Sequence, residues 1–321
     1  MKRSTCLTFF LLAAIIVAFL LAMAARAAFS PAPSPAVMAA PSSAMTYIYD
    51  APESALDTRY AYHWKILTAA LEETKAKWGP YVVQAAAERM TENRQSAELK
   101  NATGKLTIMY LGTTEDFEKN LIPIRIPVDR NLGGYMVMLI RKEDQPKFSA
   151  IESIEDLRKF KIGLGQGWID VGILQSNHFD VVTGSYYEGL FEMLANKRFD
   201  AFSRAAVEIL DEFNNASRKS TMASLQIEKS FILYYPLPMY FWFSKTPDGQ
   251  RLADRVREGM LAMYDDGTYM KLFKETQQHK IDQLHLNRAS RRFFQIDNPN
   301  LRNLNVPFQD KRLWFDIDKG E

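Results

Sequence analysis

"YYEGLFEMLANKRFDAFSRAAVE", residues 186–208, reads as one helix followed by one buried strand. Leu190, Met193 and Leu194 recur at helical spacing, and Phe199, Ala201 and Phe202 open a short apolar run of strand length. Arg204 and Glu208 follow at once. A charge at the end of a buried strand must meet water, a partner or a ligand.

The same alternation extends outward from this stretch. Upstream, Ser153 is placed to cap "IEDLRKF", "KIGLG" reads as a strand, "GWIDVGILQSN" begins a helix and "DVVTG" is a further strand. Nearer the N-terminus, "TYIYD" is a strand, residues 57–77 carry Trp64, Leu67, Ala70 and Leu71 at helical spacing, and "YVVQAAA" is strand-like. Thr91 is a candidate N-cap for "ENRQSAELKN", and "KLTIMYLG" is another strand. Each βα series implies a mostly parallel sheet covered by helices. "GGYMVMLIRKED" lies between the two series as a strand that changes direction. "SFILYYPLPMYFWFSK" returns later as an apolar run with Pro236 and Pro238 in its middle, and two helical segments follow. This order predicts an α/β clamshell of two lobes joined by two crossing strands. Ligands of such sheets sit beyond the carboxyl ends of the strands, where helix N-termini point.

The expected division is an export signal at 1–27, a Pro/Ala/Ser-rich linker at 28–45, lobe 1 at 46–132 and 234–295, lobe 2 at 133–233, and a tail at 296–321 packing on lobe 1. Lys2 and Arg3 precede an apolar run from Leu7 to Ala25 that ends in Ala25-Arg26-Ala27, the small-x-small pattern of a signal-peptidase site. The competing reading of this run is an uncleaved anchor helix. Cys6, inside the signal, is the only cysteine, so the exported chain would carry no disulfide, thiol nucleophile or Cys metal ligand. Export without disulfides fits the bacterial periplasm. Loss of Lys2, Arg3 and Arg26 lowers the 40 basic residues to 37 against 38 acidic, a balance that does not suit nucleic acid or an anionic membrane surface.

Three segments taken together resemble the amino-acid-type periplasmic solute-binding proteins of ABC importers, which have the type 2 periplasmic binding fold. "SIEDLRKFKIGLGQGW" is similar to the opening of that family's second lobe, and "YYEGLFEMLANKRFDAF" to its helix and Asp-Ala strand. "LADRVREGMLAMYDDGTYMKLF" is similar to its closing helix pair. The resemblance spans about Met45 to Thr276 and implies a cleft that closes over a small ligand, with delivery to an ABC permease. It does not extend to the family's ligand anchors. Asp116 or Phe117 falls where the carboxylate-binding Arg is expected, Ala205 replaces the ammonium-binding Asp, and Trp168 replaces a Thr. An ordinary α-amino acid is therefore not the expected ligand.

Candidate binding residues follow from the loops beyond the strands. In "GLGQGWID" the glycines around Gln166 bring backbone N–H groups to a helix start, which attracts anions or is simply a tight turn. Trp168 stacks on a ligand or joins the core, and Asp170 suits the positive helix start by itself. Glu53 and Ser54 are expected to face the cleft, whereas Ser54 or Asp57 capping the next helix and Arg59 pairing with Asp57 or Glu53 is the plainer account. Thr113 and Thr114 end the third strand, and Arg94 sits in the first turn of a helix, where a cation is mildly unfavourable. Arg125 and Arg130 flank the first crossing, either as a substitute carboxylate anchor or as salt-bridge partners. Tyr240 and Trp242 share one face of their strand, which lines the cleft or is core. Ser203 and Arg204 are expected at the cleft, with Arg204 binding an anionic group or pairing with Glu208.

No metal or cofactor is expected: His63, His178, His279 and His285 lack metal spacing, and no nucleophile elbow, Walker loop or CxxC occurs. The leading expectation is a monomeric, non-enzymatic binder of a small polar ligand bearing an acidic group. The alternatives are a ligand sensor with a vestigial cleft that signals to a membrane partner, and a dehydratase-like enzyme on the same fold. A cleft acid with a raised pKa at Glu53, Asp170 or Glu208 would support the enzyme.

Overall fold

Apolar alternation in "MTYIY" makes β1 (Met45–Tyr49), whose Met45 and Tyr47 face inward, and β1 pairs in parallel with β2 (Tyr81–Ala85). The computed structural model describes residues 44–52, 57–216 and 223–320. The expected signal, nearly all of the linker, Glu53 and Ser54 lie outside the described residues. Between β1 and β2 runs α1 (Ala61–Glu73), followed by the short α2 (Lys75–Trp78). Ile66, Leu67, Ala70 and Leu71 of α1 are buried, which accounts for the helical spacing of apolar residues there.

Helix α3 (Glu92–Lys100) starts where expected: the Thr91 hydroxyl accepts the Arg94 N–H at 3.3 Å. Strand β3 (Met109–Gly112) follows, then α4 (Glu115–Asn120) and β4 (Leu121–Ile124). The N–H groups of Thr107 and Ile108 donate to the Ile48 carbonyl and tie the run into β3 to β1. The crossing strand β5 (Tyr135–Arg141) is buried throughout its length.

The second lobe continues with α5 (Gln145–Ser149), α6 (Ile154–Leu157), β6 (Lys161–Gly165), α7 (Ile169–Ser176) and β7 (Asp180–Gly184). It is completed by α8 (Tyr187–Ala195), β8 (Ala201–Ala205), α9 (Ile209–Ala216) and β9 (Leu225–Ile227). Ser153 caps α6, accepting the Asp156 N–H at 3.1 Å. β7, β6 and β8 are parallel, and β5 runs antiparallel to β8, as a strand that changes direction should. The two faces of this sheet carry separate cores, one around Leu164, Ile173 and Leu233, the other around Leu190, Phe199 and Phe202.

Pro236 and Pro238 split the long apolar run into β10 (Phe231–Tyr234), which pairs antiparallel with β5, and β11 (Met239–Ser244), which runs between β3 and β4. The two crossings are fastened to each other, since the Asn131 side-chain carbonyl accepts the Leu237 N–H at 2.7 Å. Both faces of β11 are core: Phe241 and Phe243 pack under α1 and α10 (Pro247–Asp266), while Tyr240 and Trp242 pack beside Leu99 and Met109. Gly259 of α10 lies against α1 so closely that a Cβ there would sit 2.0 Å from the Ala70 carbonyl oxygen.

After α11 (Thr268–Gln283), strand β12 (Arg292–Gln295) pairs in parallel with β10 and so extends the second-lobe sheet, although its sequence position suggested the first lobe. The tail then reaches both lobes. Ile296 joins a second-lobe core, whereas Leu313, Phe315 and Ile317 join the first-lobe core.

Candidate functional site

Between the lobes lies a cavity of about 60 Å³. Tyr60, Glu92, Tyr110 and Asp129 line it from the first lobe and its exit, and Trp168, Asp170, Ser203, Arg204 and Glu208 from the second. A smaller neighbouring cavity of about 50 Å³ shares Arg59, Tyr60, Glu92 and Trp168 and adds Asp50, Gln95, Gln166 and Tyr187.

The second-lobe wall is built at the end of β6. Gly165 leaves room for the Trp168 indole, since a Cβ there would lie 2.2 Å from the ring, and Gly167 turns the chain with φ of 85°. Helix α7 then points its N-terminus at the cleft. That anion-attracting end is filled by the protein's own acids: the Ile169 N–H supports the carboxylate of Glu92, from the other lobe, and Asp170 lies in the first turn. The Tyr235 hydroxyl donates to Asp170 at 2.5 Å.

Trp168 packs against the core and also borders the cleft. Its ring lies 6.2 Å from Phe202 in a stacked arrangement, and it also lines both cavities. Arg204 lies over the indole, 4.7 Å from a ring centroid. Its Nε and Nη2 donate to Glu212 at 2.7 and 2.6 Å, and Nη2 also donates to Glu208 at 2.6 Å. Burial alone would lower the Arg204 pKa, but Glu212 and Glu208 outweigh it and hold the guanidinium charged. The pairing with Glu208 is one of the two expected roles of Arg204; Glu212 as the second partner lies beyond the stretch that raised the question.

Arg59 is committed in a comparable way. It forms a two-pronged pair with Asp57, 2.7 Å in each arm, and its guanidinium covers the Tyr187 ring across the cleft at 4.0 Å. The plainer account of that loop therefore describes Arg59.

The remaining carboxylates are poorly matched. Burial pushes Glu92 up to about 8, with Asp170 adding to the rise and the Ile169 N–H opposing it. Glu208 is pushed up to about 7 by burial despite Arg204. Asp170 is raised by burial against the pull of Tyr235. Asp129 accepts the N–H groups of Asn131 and Gly133, at 3.0 and 2.8 Å, yet burial still raises it to about 6.

Among the expected binding residues, Gln166, Trp168, Asp170, Ser203 and Arg204 line these cavities. The other candidates among the described residues have visible employment elsewhere. Arg94 pairs with Glu88 and Glu98, and Arg125 pairs with Glu118. Arg130 is buried and donates to the carbonyls of Arg312 and Trp314 at 3.2 and 2.8 Å. Thr114 caps α4, and the buried Thr113 hydroxyl faces Glu118 at 3.4 Å. Tyr240 is fully buried in the core on the far face of β11. Sequence reasoning passed over Tyr60, Glu92, Tyr110 and Asp129. Glu92 follows a helix cap, where an acid is ordinary, so only its contact with the other lobe distinguishes it.

No group of three or more metal-ligating side chains and no helix long and apolar enough to cross a membrane occurs among the described residues. No family model and no curated protein sequence matches the chain. Solved structures do. An ancestral arginine-binding protein bound to arginine is 17% identical at a TM-score of 0.51, covering 72% of this chain and 98% of its own. The arginine-specific periplasmic binding protein STM4351 of Salmonella typhimurium is 15% identical at 0.51, covering 73% and 100%. The ancestral amino acid-binding protein AncCDT-1, a precursor of cyclohexadienyl dehydratase, is 18% identical at 0.50, covering 73% and 95%. With its two lobes, its paired crossings and its cleft at the ends of the strands, the chain has the type 2 periplasmic binding fold.

Proposed function

We propose that this protein is a periplasmic solute-binding protein whose lobes close over a small polar ligand, for import through an ABC permease or for sensing. The observation that carries this reading is the inter-lobe cavity, which draws charged and aromatic side chains from both lobes. A ligand touching Tyr60 and Glu92 on one side and Trp168 and Asp170 on the other favours the closed state by bridging it. Solved structures of this fold include proteins described as binding arginine, which supports a small-molecule role.

The expectation of an acidic group on the ligand rested on arginines and on helix starts that attract anions. Arg94, Arg125 and Arg130 do not line the cavity, and Arg59 and Arg204 are already ion-paired. Small-angle X-ray scattering with and without a panel of amino acids, amines, sugars and organic acids tests the reading. A binding solute should reduce the radius of gyration and raise the melting temperature; a panel with no effect on either overturns it.

A second reading, a lyase-like enzyme on the same cleft, is favoured by Glu92 at about 8 and Glu208 at about 7, values suited to proton transfer near neutral pH. Chemical change of a bound solute, followed by mass spectrometry, distinguishes it from binding alone.

A further inference from the structure

Resting on the solute-binding reading, we infer that the ligand is an organic amine carrying a compact ammonium group and no carboxylate. Glu92 from the first lobe and Asp170 from the second both line the same small cavity, and Asp170 disfavours the anionic form of Glu92. Among the described residues, neither accepts a hydrogen bond from a cationic side chain in the way that Asp57 does from Arg59 or Glu212 from Arg204.

A second observation is independent of the acids. Ser203 lines the same cavity, is 2% exposed, and its hydroxyl has no hydrogen-bond partner among the described residues. A buried hydroxyl without a partner is costly, and it can accept a hydrogen bond from an ammonium. The aromatic side chains of Tyr60, Tyr110 and Trp168 line the same space.

An anionic group finds no comparable place. Both guanidiniums of the cavity are ion-paired with carboxylates through Nε and Nη2, and the N-terminus of α7 already holds Glu92 and Asp170. A zwitterionic amino acid would have to set its carboxylate against these acids. The size of the cavity, about 60 Å³, fits a compact head group rather than a bulky ring.

Isothermal titration of the exported-length protein with 1,4-diaminobutane, ethylammonium, L-ornithine and succinate tests this. The amines should bind, L-ornithine at least about tenfold more weakly than 1,4-diaminobutane, and succinate should give no heat. Glu92→Gln should weaken 1,4-diaminobutane about tenfold or more while the circular dichroism spectrum stays unchanged, and Asp170→Asn should do the same. If L-ornithine or succinate binds more tightly than the amines, or Glu92→Gln leaves amine affinity unchanged, the amine assignment is wrong while the solute-binding reading stands. If none of the four binds and none changes the scattering profile, the amine assignment fails; if the wider solute panel also fails, the solute-binding reading falls with it.

Discussion

Arg204 donates two hydrogen bonds to Glu212, from Nε at 2.7 Å and from Nη2 at 2.6 Å, in a pair whose side chains are 7% and 3% exposed. Glu208 shares the same guanidinium, so one buried cation serves a buried acid and a partly buried one. Arg204→Ala leaves both acids without it. The loss of one member of a buried pair costs about 3–5 kcal/mol, and urea denaturation should show a loss of that order. Arg204→Ala with wild-type stability but no ligand binding would instead place Arg204 in direct contact with the ligand.

Glu92 and Glu208 have folded pKa values raised from 4.5 to about 8 and about 7, so folding prefers their protonated forms. That contribution is complete below 4.5 and is lost as pH rises toward 7 and 8. Asp170, Arg59 and Glu208 face Glu92, and Arg204, Glu212, Arg59 and Asp170 face Glu208. Above 6.5, where His63 is neutral in both states, the denaturation midpoint should fall with rising pH. Glu92→Gln should flatten that fall. A midpoint that rises over the same interval contradicts the assignment.

His63 acts on the acid side. It is fully buried, stacks on Tyr110 with centroids 3.9 Å apart, and burial lowers its pKa from 6.5 to about 3, with Lys280 adding to the effect. Its contribution is therefore full above 6.5 and lost as pH falls toward 3. His63→Phe keeps a ring against Tyr110 and removes the proton linkage. Its stability relative to wild type should grow as pH is lowered below 6.5, measured by thermal melts.

The tail fastens the hinge. The Phe315 N–H donates to the Arg130 carbonyl at 2.7 Å, the Tyr135 hydroxyl donates to the Phe315 carbonyl, and the Phe315 ring packs edge-on to Tyr135. Phe315→Ala removes a ring that is 4% exposed and should cost about 3–5 kcal/mol. A loss below about 1 kcal/mol in urea denaturation would mean that the tail is dispensable to the first-lobe core.

The fold was legible because local rules and tertiary packing agree. Thr91 and Ser153 cap the helices they precede, Pro236 and Pro238 break the apolar run between β10 and β11, and Leu190 and Leu194 face inward from α8. The site was less legible because a charge announces itself without naming its partner. Arg125 has Glu118 seven residues away, within reach of a local reading. Arg130 has its acceptors 182 and 184 residues downstream, where no spacing rule extends. Glu92 follows a recognised cap, yet its role depends on Ile169 and Asp170 in the other lobe. Ser203 and Arg204 were expected at the cleft because the strand before them was recognised, and both line it.

A small solute held in the inter-lobe cavity should survive gentle purification. Native mass spectrometry of the protein purified without denaturation, together with the Glu92→Gln variant, tests this most directly. The expected result is a small-molecule adduct on the wild-type chain that is reduced or lost in Glu92→Gln and restored to the wild type by adding back the identified compound. A bare chain mass for both proteins, unchanged after exposure to the solute panel, would contradict it.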